Sequence, residues 1–137
     1  MILADTGAVV ALIDADDRHH EKLRTLWEAD PAAWVLPWAI LPEVDYLLAT
    51  QLGQEAEEAF LGDLADGSFR VAWGDERDLA AGKRIVQRHR ALKLGLVDGV
   101  VIAMAERLGA DAIATLDLRH FGAVRIKGSP GLYPRDL

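Results

Sequence analysis

Residues 94–115, "LGLVDGVVIAMAERLGADAIAT", carry the pattern that decides the fold. Val97, Val100, Val101, Met104 and Leu108 recur at spacings of three and four, which is the period of a helix with one face against a core. The apolar run "AIAT" (112–115) follows as a short strand. The same alternation runs through the chain. "ILAD" (2–5) is a buried strand ending on an acid, and "TGAVVALI" (6–13) is a short helix. "HHEKLRTLWEA" (19–29) has helical spacing and is stopped by "DPAA". "WVLP" (34–37) is a second strand. "ILPEVDYLLATQLG" (40–53) is a helix with Pro42 in its first turn and Gly53 at its end. "GQEAEEAFLGDLADG" is another helix, "FRVAW" (69–73) a strand and "DERDLAAGKRIVQRHRALK" (75–93) a long amphipathic helix. "VRI" (124–126) reads as a last edge strand. Short apolar strands alternating with helices imply an α/β fold, with a mostly parallel central sheet covered by helices on both faces. One domain over residues 1–137 is the simplest organisation.

Composition narrows the function. With 51% hydrophobic and 27% charged residues the chain is ordinary for a globular protein. It has no cysteine, which removes disulfides, thiolate metal sites and a cysteine nucleophile. "MILADTGAVV" lacks the basic start of a signal peptide, and no apolar run is long enough to span a bilayer, so a cytoplasmic protein is expected. The net charge of −7 argues against a protein that simply coats nucleic acid. The charge is nevertheless uneven. Residues 83–93 contain Lys83, Arg84, Arg88, Arg90 and Lys93 and no acid, whereas 55–66 contain five acids and no base.

In parallel α/β sheets, sites form beyond the C-terminal ends of the strands. Asp5 ends the first strand, Asp117 lies just past "AIAT", Asp98 opens a helix and Glu43 sits in the first turn of another. Asp98 admits two readings: an N-cap that complements the helix dipole, or a carboxylate held at the rim of the core for chemistry. Two carboxylates about 4 Å apart repel by roughly 4 kcal/mol at an effective dielectric near 20. A converged cluster must therefore take up protons or bind a cation. Oxygen ligands without cysteine point to Mg²⁺ or Mn²⁺, and such an ion suits hydrolysis of a phosphodiester. Scattered helix caps would account for the same four acids.

"MILADTGAVVALID", "LPEVDYLL", "GLVDGVVIAMAERLG" and "AIATLDLRHFGAVR" resemble, in order and over nearly the whole chain, the four acidic motifs of PIN-domain proteins. The likeness is closest to the VapC-type toxins of bacterial type II toxin–antitoxin pairs. It implies a PIN-like fold and a Mg²⁺-dependent endoribonuclease, with Mn²⁺ as a possible substitute. Asp5, Glu43, Asp98 and Asp117 would be the catalytic acids, and Thr6 and Thr115 would support them. Asp5, Asp98 and Asp117 would hold the metal, and Glu43 would complete the site or orient the attacking water. The products would carry a 5′-phosphate and a 3′-hydroxyl. The resemblance also implies an RNA substrate, a cognate antitoxin and a homodimer. A PIN-domain RNA-binding or RNA-processing protein that is not a toxin is the alternative.

Other residues have simpler explanations. Asp45, two residues from Glu43, has equally apolar neighbours; the resemblance selects Glu43 and leaves Asp45 structural. "DADDRH" (14–19) is similar to a calcium loop but has His19 where the loop needs glycine. His19 and His20 are adjacent and cannot face each other on a helix, which argues against a zinc site. The four tryptophans are expected to pack rather than stack on bases. A haloacid-dehalogenase-type phosphatase using Asp5 would need an Asp two residues later, where Gly7 stands. The basic block fits a solvated helix face and an RNA-backbone track equally well.

Overall fold

The computed structural model describes residues 1–137. Five short strands, β1 (Ile2–Ala4), β2 (Trp34–Pro37), β3 (Arg70–Ala72), β4 (Ala112–Ala114) and β5 (Gly131–Tyr133), form one sheet. Their order is β3-β2-β1-β4-β5, and every neighbouring pair is parallel. Seven helices accompany them: α1 (Thr6–Ile13), α2 (His20–Ala29), α3 (Leu41–Gln51), α4 (Gln54–Ala65), α5 (Glu76–Arg88), α6 (Leu96–Leu108) and α7 (Leu118–Phe121). Every residue of β1, β2 and β4 is buried, so both faces of the central strands are covered. That double burial is why these strands read as continuous apolar runs rather than alternating ones.

Three expectations require correction. "VRI" is not a strand: Val124 and Ile126 point into the core, but the edge beside β4 is taken by β5. A segment can bury alternate side chains without joining a ladder, and the "GLY" of β5 has too little apolar pattern to announce itself. The long helix expected to reach residue 93 stops at Arg88, followed by a 3₁₀ turn over Arg90–Leu92 and Lys93 at φ 54°. Asp98 is not an N-cap. Gly95 holds that position, and Asp98, three residues into α6, reaches back so that its Oδ2 accepts the Gly95 N–H at 3.3 Å.

The tryptophans divide. Trp27, partly buried, packs edge-on against the core residue Trp34 at 5.7 Å and tilted against Phe69 at 4.8 Å. Trp38 is half-buried against the core, whereas Trp73 is 71% exposed.

A close backbone approach joins α5 to α6. A Cβ on Gly99 would lie 2.7 Å from the Gly82 carbonyl oxygen and 2.8 Å from a Val86 methyl. Only two glycines let the backbones approach this closely. Near the other end of the pair, Arg107 of α6 donates to both oxygens of the buried Asp78 of α5, at 2.7 and 2.9 Å. Asp78 Oδ2 also accepts the Asp75 N–H at 2.9 Å and so helps to start α5. These bonds hold the Asp78 carboxyl below its usual pKa.

Gly99→Ala must push α5 and α6 apart and is expected to lower stability by about 1–3 kcal/mol. Gly62→Ala, in the open part of α4 where an added Cβ meets nothing within 4 Å, is expected to raise it by about 0.4–1 kcal/mol. Urea denaturation of the two variants measures both signs.

Candidate active site

The strand order reverses at β1. The chain goes from β1 to β2 on one side, and β4 later arrives on the other. A crevice is expected where such strands part, beyond their C-terminal ends. Asp5 directly follows β1 and donates its N–H to the Ala114 carbonyl at 2.8 Å, which sets it beside the end of β4. Thr115 follows β4. Its hydroxyl donates to Asp5 Oδ2 at 3.1 Å and accepts the Asp117 N–H at 3.0 Å. One buried hydroxyl therefore spaces two of the acids. On the other side of Asp5, the buried Thr6 hydroxyl donates to Glu43 Oε1 at 2.7 Å. Glu43 itself is exposed, in the first turn of α3.

Asp98 enters from α6 and Asp117 from the start of α7, where its Oδ1 caps the helix by accepting the His120 N–H at 3.1 Å. Four carboxylates from four segments thus occupy one edge of the sheet. His120 completes the group. Its Nδ1 lies 2.9 Å from Asp117 Oδ2 and 3.4 Å from Asp98 Oδ2. The sequence reading gave His120 no role, although its position three residues after Asp117 places both on one helix face, which is the signal that would have found it.

The electrostatics follow from burial and crowding. Burial above all, aided by the Asp98 and Asp117 charges and opposed by the hydrogen bonds from Thr6 and Thr115, pushes the Asp5 carboxyl up to about 6. Asp98 is also raised, first by burial and then by Asp117 and Glu43, while the nearby His120 opposes the rise. Asp45 belongs to none of this. It faces Glu57 of α4, whose carboxyl is raised chiefly by the neighbouring Asp45 carboxyl.

The donor set fits a divalent cation. One ligand atom each from Asp98, Asp117 and His120 lie within 4.8 Å of one another, beside a buried carboxylate that resists ionising alone. Elsewhere the candidate ligands are spent locally. Asp14 and Asp17 accept backbone N–H groups of their own loop, and His20 Nδ1 lies 3.0 Å from the Ala11 carbonyl oxygen. Lys83, Arg84, Arg88, Arg90 and Lys93 are all exposed, and none has a carboxylate partner. No helix is long and apolar enough to cross a membrane.

A parallel α/β sheet with carboxylates converging at its switch point defines a class of proteins built to hold a divalent cation there. The PIN-domain family model matches residues 2–127, and the chain belongs to that family of metal-dependent nucleases. Ribonuclease VapC26 of Mycobacterium tuberculosis is 32% identical over 124 residues, which are 90% of this chain and 92% of the relative. The crystal structure of VapC20 from the same species, a sarcin–ricin-loop-cleaving toxin, superposes with a TM-score of 0.80 at 23% identity, covering 90% of this chain and 95% of that one. The DNA-bound VapBC structure from Salmonella typhimurium gives a TM-score of 0.71 at 20% identity, with 96% and 95% covered. These two likenesses are of fold.

The raised Asp5 pKa sets a pH dependence. In the metal-free protein Asp5 binds its proton more tightly folded than unfolded, so the folded state is favoured at low pH and loses stability as pH rises. The loss runs from about pH 4 to about pH 6 and amounts to about 3 kcal/mol when complete. With chelator present, Asp5→Asn is expected to melt higher than wild type at pH 7.5 and to lack most of that slope. Equal melting curves across pH 4–8 would show that the carboxylate is not under strain.

Proposed function

We propose that this protein is a Mg²⁺-dependent endoribonuclease, the toxin of a toxin–antitoxin pair, acting in the cytoplasm. The observation that carries this is the meeting of Asp5, Glu43, Asp98 and Asp117 on the sheet edge between β1 and β4, in a PIN-domain chain similar to a curated VapC ribonuclease. Asp5, Asp98 and Asp117 would hold the cation. When bound, that ion lowers the pKa of a water and offsets the charge developing on the phosphate. The protein's own share is positioning. Thr115 keeps Asp5 and Asp117 at a fixed separation. The Thr6 hydroxyl occupies Glu43 Oε1 and leaves Oε2 to orient the attacking water and take its proton. In-line displacement then yields a 5′-phosphate and a 3′-hydroxyl.

The substrate strand also needs positive charge, because the acidic edge repels every phosphate except the one that the cation engages. The unpaired basic stretch from Lys83 to Lys93 supplies it. It borders a cavity of about 600 Å³ lined by Val86, Gln87, Arg90, Lys93 and Leu94. A cognate antitoxin and a second copy of the chain complete the proposed assembly, and the exposed Tyr46, Trp73 and Leu96 are available to such interfaces.

Cleavage of RNA by the purified protein, in Mg²⁺ against chelator, tests the activity. Asp98→Asn is expected to lower the rate at least about 100-fold. Sequencing the RNA ends formed after induced expression identifies the target. Unchanged RNA in the presence of Mg²⁺ and Mn²⁺ would overturn the proposal. Replacing Arg84 and Arg88 together by Ala is expected to weaken RNA binding and flatten its salt slope by about 1.4, as for two single-strand phosphate contacts. An unchanged slope would leave the block as a solvated helix face.

A further inference from the structure

Resting on the nuclease assignment above, we propose that His120 is a nitrogen ligand of the cation at this edge, making with Asp98 and Asp117 a mixed nitrogen–oxygen site that binds Mn²⁺ more tightly than the acids alone would. The acids alone would form an all-oxygen site, which suits Mg²⁺. His120 changes that chemistry. Its Nδ1 is shielded from solvent and points between two carboxylates, 2.9 Å from Asp117 Oδ2 and 3.4 Å from Asp98 Oδ2. Despite these distances it makes no well-directed hydrogen bond with either.

A nitrogen aimed between two carboxylates without a well-directed hydrogen bond to either leaves room for a third participant. An ion provides one. The ligand atoms of the three residues lie within 4.8 Å of one another. Metal–ligand bonds of about 2.0–2.2 Å on opposite sides of an ion span about 4.4 Å, so a single ion reaches all three after a small contraction.

The ring is also anchored for this purpose. Asp117 Oδ1 accepts the backbone N–H of His120, and Asp117 Oδ2 faces the ring of the same residue. Both side chains are set by one short helical turn, and Thr115 ties that turn to the end of β4 by accepting the Asp117 N–H. Imidazole suits transition metals better than Mg²⁺, which prefers oxygen and retains its water. One nitrogen in the donor set therefore shifts the preference toward Mn²⁺.

The test is Mn²⁺ binding to the intact, metal-stripped protein, followed by electron paramagnetic resonance and titration calorimetry, with Mg²⁺ titrated in parallel. In wild type the bound Mn²⁺ is expected to show ¹⁴N modulation of its spin echo. His120→Ala and His120→Gln should both abolish that modulation. Each should weaken Mn²⁺ binding at least about tenfold while changing Mg²⁺ affinity less than about threefold. The glutamine variant keeps the backbone cap and a side chain of similar reach, so it serves if the alanine variant does not fold. If both variants keep Mn²⁺ affinity and the echo carries no ¹⁴N in wild type, His120 is only a bridge between carboxylates and the inference falls. In that case loss of Mn²⁺ binding in Asp98→Asn would leave the nuclease assignment standing. If wild type binds no Mn²⁺ at all, the inference and the metal site fall together.

Discussion

The contact on which the rest depends is the backbone approach of α5 and α6 at Gly82 and Gly99, locked near its far end by the Arg107–Asp78 fork. Gly99 is the residue after Asp98. The depth at which α6 sits against α5 is therefore also the depth at which the Asp98 carboxylate is presented. Burying a charged pair such as Asp78–Arg107 brings little net stability, but breaking one partner is costly, so the pair specifies a single arrangement of the two helices. The glycines do the same by shape, since any side chain at either position would separate the helices.

From that placement the electrostatic character of the sheet edge follows. Asp5 is buried, Asp98 is mostly buried, and the Asp98 charge adds to the cost of ionising Asp5. The fold tolerates this because backbone and hydroxyl bonds hold each acid: Thr115 for Asp5 and Asp117, Thr6 for Glu43, and the Gly95 N–H for Asp98. An edge built this way is less stable empty than filled. Binding a cation exchanges mutual repulsion for attraction, and the same repulsion explains why the site forms at a rim, where an ion can enter, rather than deeper in the core.

The division of charge over the surface has a similar logic. The chain is acidic overall, yet its exposed and unpaired cations concentrate between Lys83 and Lys93, on the segment leading directly into α6. A net charge of −7 opposes indiscriminate binding to nucleic acid, and under the proposed function the cationic stretch would serve a strand that passes the site.

The α/β class and the parallel sheet were legible in the sequence because doubly buried strands must be continuous apolar runs and the helices between them must be amphipathic. Asp5, Glu43, Asp98 and Asp117 were candidates by their positions at strand ends and helix starts, but it was the resemblance to PIN-domain proteins, not the pattern, that chose Glu43 over Asp45. Other features depended on contacts between residues far apart in the chain. Gly82 and Gly99 are unremarked glycines until two helices meet at them, and Asp78 and Arg107 lie 29 positions apart. The last strand lies at 131–133 rather than 124–126 because backbone pairing with β4, not side-chain pattern, decides which segment completes a sheet. His120 could be paired with Asp117 by its spacing of three, but only the convergence of α6 and α7 brings its ring nitrogen up to Asp98 as well. Periodicity records which way a side chain faces, and that is a local property. What the side chain meets there is set by packing between distant segments, which no local pattern encodes.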